Sequence, residues 1–327
     1  MLRAGITAVG CYLPSVIISN SELIARFDLD VDEAWIESRT GIITRHWMTD
    51  DETTSDMAVA AANKILASSD LGAEQLDRIV LATISGDYPS PATAAVVAQK
   101  LQTRCPAYDI SAACAGFLYG LDIAAGAIAN GDENVLVLSA DARSRFIDKS
   151  NRRGVVLFAD GAAGALVQRT ESTGLAGVHL GADGNRKGLG AWVPAGGALK
   201  PTTLETVASG EHFLHVEGLK DIFSMFVGYI QESVDQALDK AGMDLSDIDL
   251  FIPHQGNAHL VERTIEAIGF PAEKTINDVS RHGNTAGASI PIALAEAHES
   301  GRLKAGDNVL LAAVGAGNTF GAIVHKF

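Results

Sequence analysis

The chain has 327 residues, a formal net charge of −15, 47% hydrophobic residues and 20% charged ones. That length buries a full core in one large domain or two medium ones, and the composition excludes a disordered chain. The acidic balance excludes nucleic acid or an anionic membrane as the main partner, because both require a net basic surface.

The opening Met1-Leu-Arg-Ala-Gly-Ile-Thr-Ala-Val-Gly lacks the long apolar core of a signal peptide and reads as a first strand. Apolar residues recurring every three to four positions predict a helix over 54–69, followed by a strand at Arg78-Ile-Val-Leu-Ala-Thr. A short strand at Tyr108-Asp-Ile leads through Ser111-Ala-Ala-Cys114 into a helix over 116–130. Glu133-Asn-Val-Leu-Val-Leu-Ser is the next strand, and Gly161-Ala-Ala-Gly164 suggests close backbone packing. The polar run Gln168-Arg-Thr-Glu-Ser-Thr-Gly marks a boundary near 170–175. Beyond it, helices over 222–241, 259–268 and 290–300 alternate with strands at Phe251-Ile-Pro and Asn308–Leu311. The alternation predicts an α/β protein with mainly parallel strands. No apolar run approaches the ~18 residues of a membrane span. Cys11, Cys105 and Cys114 show no CxxC spacing and their odd count fits no disulfide framework, so a reducing cytoplasm and no metal are expected.

The same unit occurs twice. Leu76-Asp-Arg-Ile-Val-Leu-Ala-Thr resembles Ile248-Asp-Leu-Phe-Ile-Pro-His-Gln, and Tyr108-Asp-Ile-Ser-Ala-Ala-Cys-Ala-Gly resembles Asn277-Asp-Val-Ser-Arg-His-Gly-Asn-Thr-Ala-Gly. Gly131-Asp-Glu-Asn-Val-Leu-Val-Leu likewise matches Gly306-Asp-Asn-Val-Leu-Leu-Ala-Ala. Three matches in one order predict two similar halves, 1–172 and 173–327. In this alignment Cys114 and Asn284 fall at equivalent points, each between a strand and an Ala/Gly-rich helix. His254 follows a strand's carboxyl end, the place where open α/β sheets bind ligands.

A cysteine at a helix start is expected to have a lowered pKa, and its thiolate accepts acyl groups from other thioesters. His254 and Asn284 are suited to donate hydrogen bonds to an oxyanion on a second thioester. Arg143, Arg145, Lys149, Arg152 and Arg153 form a local basic cluster suited to a polyanion. Cys11, Cys105, Asp109 and Asp278 read as structural, and His282 as solvent-facing or loop-stabilising.

Ala112-Ala-Cys114-Ala-Gly-Phe, Pro253-His254-Gln-Gly-Asn257 and Arg281-His-Gly-Asn284-Thr together resemble the three signatures of the β-ketoacyl-ACP synthase III family. Trp35-Ile-Glu-Ser-Arg39-Thr-Gly-Ile, Arg153-Gly154, Phe158-Ala-Asp-Gly161 and the glycine-rich Gly315–Gly321 ending match in the same order. The resemblance implies a thiolase fold, five-layered αβαβα from two duplicated halves, and a homodimer. It implies that an acyl-CoA acylates Cys114, and that malonyl-ACP then condenses with the acyl-cysteine and loses CO2. His254 and Asn284 would stabilise the enolate, and the backbone N–H groups of Cys114 and Ala316 the acyl oxyanion. CoA would be contacted by Trp35, Arg39, Thr40, Arg153, Asn257 and Gly218, with Pro89 or Ser90 at the gate of the acyl pocket. The partners implied are acyl-CoA and an acyl carrier protein, with CoA entering as substrate and no metal or other cofactor. Departures from the family pattern at His259, Leu219 and Asn318 keep open a second reading, a specialised acyltransferase using a non-standard acceptor.

Overall fold

The computed structural model describes residues 3–186, 188–216 and 222–327. Its strands are β1 (Arg3–Tyr12), β2 (Val16–Ser19), β3 (Thr44–Trp47), β4 (Arg78–Ala82), β5 (Ala107–Ile110), β6 (Asn134–Ala142), β7 (Asp160–Thr170), β8 (Gly174–Ala182), β9 (Ala191–Trp192), β10 (His215–Val216), β11 (Leu250–Pro253), β12 (Asn308–Gly315) and β13 (Thr319–Lys326). The helices are α1 (Asn20–Phe27), α2 (Glu33–Thr40), α3 (Thr54–Ser69), α4 (Thr93–Leu101), α5 (Gly116–Ala129), α6 (Arg152–Val155), α7 (Leu204–Ala208), α8 (Ile222–Ala241), α9 (Ala258–Ile268), α10 (Val279–His282) and α11 (Ser289–Glu299).

Two sheets share one plan. The first runs β1-β7-β6-β4-β5 and the second β8-β13-β12-β11, with Thr275 bridging Phe251 in parallel where a fifth strand would stand. In each sheet the outer pairs β1/β7/β6 and β8/β13/β12 are antiparallel, and the next pairs, β6/β4 and β12/β11, are parallel. The expectation of mainly parallel strands is thereby corrected. Between β12 and β13 only Ala316–Asn318 intervene, too few residues for the crossover that a parallel pair requires.

Helices α5 and α11 lie between the sheets, in a core that takes Phe117, Leu118 and Leu121 from α5 and Ile290, Ala293 and Leu294 from α11. On the outside, Met57, Ala61 and Ile65 of α3 cover the first sheet, and Ile230, Val234 and Ala237 of α8 cover the second. Five layers result. Small residues make the tight layers possible: a Cβ on Gly164 of β7 would lie 2.3 Å from the Val137 carbonyl of its neighbour. Helix α3 starts where the sequence signals it, with Thr53 and Asp56 capping each other's backbone N–H. No helix among the described residues is long and apolar enough to cross a membrane.

Candidate active site

The carboxyl ends of β4, β6, β11 and β12 and the starts of α5 and α11 converge on a cavity of about 640 Å³. Cys114, His254, Asn257, Asn284 and Ala316 line it, with apolar walls from Ile84, Leu157, Phe158, Leu189, Phe226 and Val314. Cys114 sits in the 3-10 turn Ala113–Ala115 that leads into α5. Its counterpart in the second half is the turn Ala286–Ala288 leading into α11, and both turns begin on an alanine in the left-handed region, Ala113 at φ 48° and Ala286 at φ 51°. The structural partner of Cys114 is therefore Gly287, three residues after Asn284. The loop of the second half is longer and inserts α10, so alignment of the short motif alone misplaces the equivalence.

Asn284 is held at both backbone ends, its N–H donating to the Leu157 carbonyl at 3.0 Å and its carbonyl accepting from Ala159 N–H at 2.9 Å. Its Oδ1 accepts from Ala286 N–H at 2.9 Å, which fixes the amide so that Nδ2 faces the cavity without a protein partner among the described residues. His254 is held by its backbone N–H on the Ala312 carbonyl at 2.8 Å. The Ser289 hydroxyl lies 2.7 Å from His254 Nδ1 and accepts from Gln255 N–H at 3.2 Å. With no other acceptor in reach, the hydroxyl donates to Nδ1, and the ring proton resides on Nε2. Burial pushes His254 down to about 4, so the ring is neutral at physiological pH. Nε2 and Asn284 Nδ2 flank one spot: a Cβ on Gly256 would fall 2.6 Å from the first and 3.4 Å from the second. Both are donors aimed at a volume that Gly256 leaves empty.

On the opposite side, a Cβ on Gly315 would come within 2.7 Å of the Cys114 backbone nitrogen, so this glycine keeps that N–H accessible beside Ala316. The Thr319 hydroxyl donates to the Ala112 carbonyl at 2.9 Å and ties the β12–β13 turn to the cysteine loop. The expected lowering of the Cys114 pKa is not observed. Burial pushes the thiol up to about 12, Asp141 adds to the rise, and Arg143 and the residue's own N–H only partly oppose it. In a dry cavity desolvation of the thiolate outweighs the helix start. Burial also raises Cys11, to about 11, and Cys105.

The residues expected to contact CoA fall into three groups. Asn257 lines the cavity, caps α9 through Oδ1 on His259 N–H, and donates from Nδ2 to the Arg39 carbonyl at 2.9 Å, which binds α2 to the rim. Trp35 and Arg39 lie on α2 outside the cavity wall, with Arg39 5.4 Å and Arg152 5.2 Å from the Trp35 ring centre. Arg152, not Arg153, flanks the indole, and Arg153 is exposed. Thr40 is buried and serves its own helix end, its hydroxyl donating to the Ile36 carbonyl at 2.8 Å. Gly218 and Leu219 lie outside the described residues. Pro89 and Ser90 are exposed and do not line the cavity of this chain, because the loop after β4 turns outward past Ile84.

His259 is occupied on both ring nitrogens, by Glu262 at 3.0 Å and the Ser38 carbonyl at 3.1 Å. His282 is buried, not solvent-facing, and pairs with Glu296 at 2.9 Å, a loop-stabilising contact. Asp109 accepts from the Thr93 and Ala94 N–H groups at 2.6 and 2.7 Å and anchors the start of α4. Two residues of the site escape sequence reasoning. Ser289 has no local signal, and Arg143 looks like part of the surface basic cluster although it lines the cavity and is only 2% exposed.

A sequence profile of the family described as "3-Oxoacyl-[acyl-carrier-protein (ACP)] synthase III" matches residues 108–184, and the profile of its C-terminal part matches residues 238–327. The chain is 37% identical over 330 residues to the β-ketoacyl-[acyl-carrier-protein] synthase III of Fusobacterium nucleatum subsp. nucleatum, covering 100% of this chain and 99% of that one. It is 40% identical to the β-ketoacyl-[acyl-carrier-protein] synthase III 3 of Streptomyces coelicolor, over 98% of this chain and 97% of the other. The crystal structure of 3-oxoacyl-[acyl-carrier-protein] synthase III from Aquifex aeolicus superposes with a TM-score of 0.89 at 34% identity, covering 99% of this chain and 100% of that one.

Proposed function

Because this chain belongs to the β-ketoacyl-ACP synthase III family, with the thiolase fold and the condensing acyltransferase activity of that family, we propose that Cys114, His254 and Asn284 carry a two-step reaction between an acyl-CoA and malonyl-ACP. The observation that carries the assignment of roles is the shared empty spot beside Gly256, bordered by two donor nitrogens in the cavity that Cys114 lines.

In the first step the Cys114 sulfur attacks the thioester carbonyl of an acyl-CoA. The developing oxyanion takes hydrogen bonds from the N–H groups of Cys114 and Ala316, the C–S bond to CoA breaks, and CoA leaves as the thiol with the proton of Cys114. In the second step the malonyl thioester carbonyl takes the spot between His254 Nε2–H and Asn284 Nδ2. Loss of CO2 leaves its electron pair as an enolate on that carbonyl, stabilised by the two neutral donors. The carbanion attacks the acyl-cysteine carbonyl, a C–C bond forms, and the Cys114 sulfur is released to take up a proton. A neutral histidine suits this role, since an imidazolium would bind the ground-state carboxylate as readily as the enolate.

Trp35, Arg39, Arg152, Arg153 and Asn257 then form the approach for CoA and the carrier's pantetheine, bringing three arginines to the rim on a chain of net charge −15. The reading includes a homodimer, the two halves 1–172 and 173–327, and a gate at Pro89 or Ser90 acting outside the cavity of its own chain. The test is Asn284→Ala assayed in separate steps. Acylation should persist while CO2 release and 3-oxoacyl product fall on the order of 10² to 10³, the cost of one oxyanion donor. Unchanged condensation would overturn the role.

A further inference from the structure

Arg143 follows the carboxyl end of β6 and lines the cavity that Cys114 lines. It is 2% exposed, its Nε has no hydrogen-bond partner, and among the described residues its guanidinium makes neither a hydrogen bond nor an ion pair. The nearby carboxylates are already engaged. Asp141 accepts from Ile84 N–H at 2.9 Å, the Ser85 hydroxyl at 2.8 Å and Gly287 N–H at 3.1 Å. Asp160 accepts from Met48 N–H at 2.9 Å and from the Ser144 N–H and hydroxyl. Neither has an oxygen within the 4.0 Å of an ion pair with Arg143. Two rings, Phe158 at 5.4 Å and Phe146 at 5.9 Å from the guanidinium carbon, hold the planar group in place. A buried guanidinium without a hydrogen-bonded partner is costly: Asp141 and Asp160 attract it only from beyond ion-pair distance, and the cavity walls Ile84, Leu157 and Phe158 offer it no acceptor. A purely aliphatic acyl chain beside it would leave its N–H groups desolvated and without an acceptor. A carboxylate satisfies it with two parallel N–H···O bonds.

We propose that Arg143 selects the primer: the cavity accepts acyl-CoAs whose acyl chain ends in a carboxylate, which pairs with the Arg143 guanidinium while the thioester end reaches Cys114. The inference rests on Cys114 being the acyl acceptor. The acyl-transfer step is unchanged in its balance: the bond from carbonyl to CoA sulfur breaks, the bond to Cys114 sulfur forms, the thiol proton leaves with CoA, and the distal carboxylate stays ionised and unreacted.

The experiment is acylation of the full chain, read by intact mass, with succinyl-CoA and glutaryl-CoA set against the neutral chains butyryl-CoA and pentanoyl-CoA, without any malonyl thioester. The faster of the two diacid thioesters should acylate at least about tenfold faster than the neutral chain of the same carbon backbone, the discrimination expected of one charge-assisted contact. Arg143→Leu should reverse the preference by roughly ten- to a hundredfold, and Arg143→Lys should keep a weaker one. A role of Arg143 in merely easing ionisation of Cys114 would change all four rates together and leave the ratio unmoved, which overturns the proposal. Equal or faster acylation of the wild type by the neutral chains overturns it as well, and this arm needs no variant to fold. So does an Arg143→Leu chain that keeps the primer ratio but loses CO2 release from malonyl-ACP, since the carboxylate read would then be the extender's. Acylation by the neutral chains alone sinks this inference and leaves Cys114 as acceptor; acylation by none of the four sinks both.

Discussion

Each polar residue at the centre of the site has its other bonding capacity spent on holding it in place. Asn284 uses three of its polar groups for the loop and presents the fourth, Nδ2, to the cavity. His254 uses Nδ1 on Ser289 and presents Nε2. Ser289→Ala removes the group that fixes the tautomer, so condensation should fall about ten- to a hundredfold while acylation of Cys114 is kept; loss of both steps alike would show a structural defect instead. The buried imidazole also has a signature in stability. His254 has a folded-state pKa of about 4 against an ordinary value of 6.5. Between those values the unfolded chain binds the proton and the folded chain does not, so this contribution is full above pH 6.5 and is lost as the pH falls towards 4. Its size is on the order of 3 kcal/mol. Urea unfolding of the wild type should therefore lose more stability from pH 7 to pH 4.5 than unfolding of His254→Gln, and equal losses would contradict the neutral buried ring. Cys114 is legible as a candidate because it stands between a strand and a helix, and Asn284 because its motif resembles that of Cys114, although helix α10 rather than a strand precedes it. The raised thiol is not legible, since its burial comes from walls drawn from both halves of the chain, with Asp141 adding to the rise.

Secondary structure that carries a periodic pattern is the part the sequence foretells best. Helices expected over 54–69, 116–130, 222–241 and 290–300 appear as α3, α5, α8 and α11 with ends within one residue. The strands β7 and β8 carry no such signal, because Gly- and Ala-rich stretches such as residues 160–165 lack the alternation of a half-buried strand. The turn between β12 and β13 shows how a small element shapes the cavity. Asn318 donates from Nδ2 to the Gly188 carbonyl at 3.1 Å and accepts from Arg186 at 2.5 Å, and Gly317 N–H bonds the Leu189 carbonyl at 2.8 Å. These bonds hold the segment that brings Leu189 to Val193 onto the cavity wall. Asn318→Ala should accelerate trypsin cleavage at Arg186 and raise the KM for acyl-CoA with a smaller effect on kcat. Unchanged cleavage would mean that the segment is held elsewhere.

The duplicated sheets do not behave as separate bodies in this fold. Helices α5 and α11 share one core with strands of both, and Ile6 N–H of β1 donates to His325 Nε2 of β13 at 2.9 Å. The chain should unfold in one thermal transition, and residues 1–172 expressed alone should expose the apolar faces of α5 and remain unfolded; two resolved calorimetric transitions would contradict this. At this scale the repeat makes the architecture legible, whereas the cavity is not, because Cys114 comes from one half and His254 and Asn284 from the other, brought together only by packing. The most direct test of the whole account follows the mass of the intact protein through a single turnover. Incubation with an acyl-CoA should add one acyl group to the wild type and none to Cys114→Ala, and malonyl-ACP should then return the protein to its original mass with one CO2 and one 3-oxoacyl-ACP per acyl group lost. An adduct that persists in Cys114→Ala, or an acyl group discharged without CO2, would contradict it.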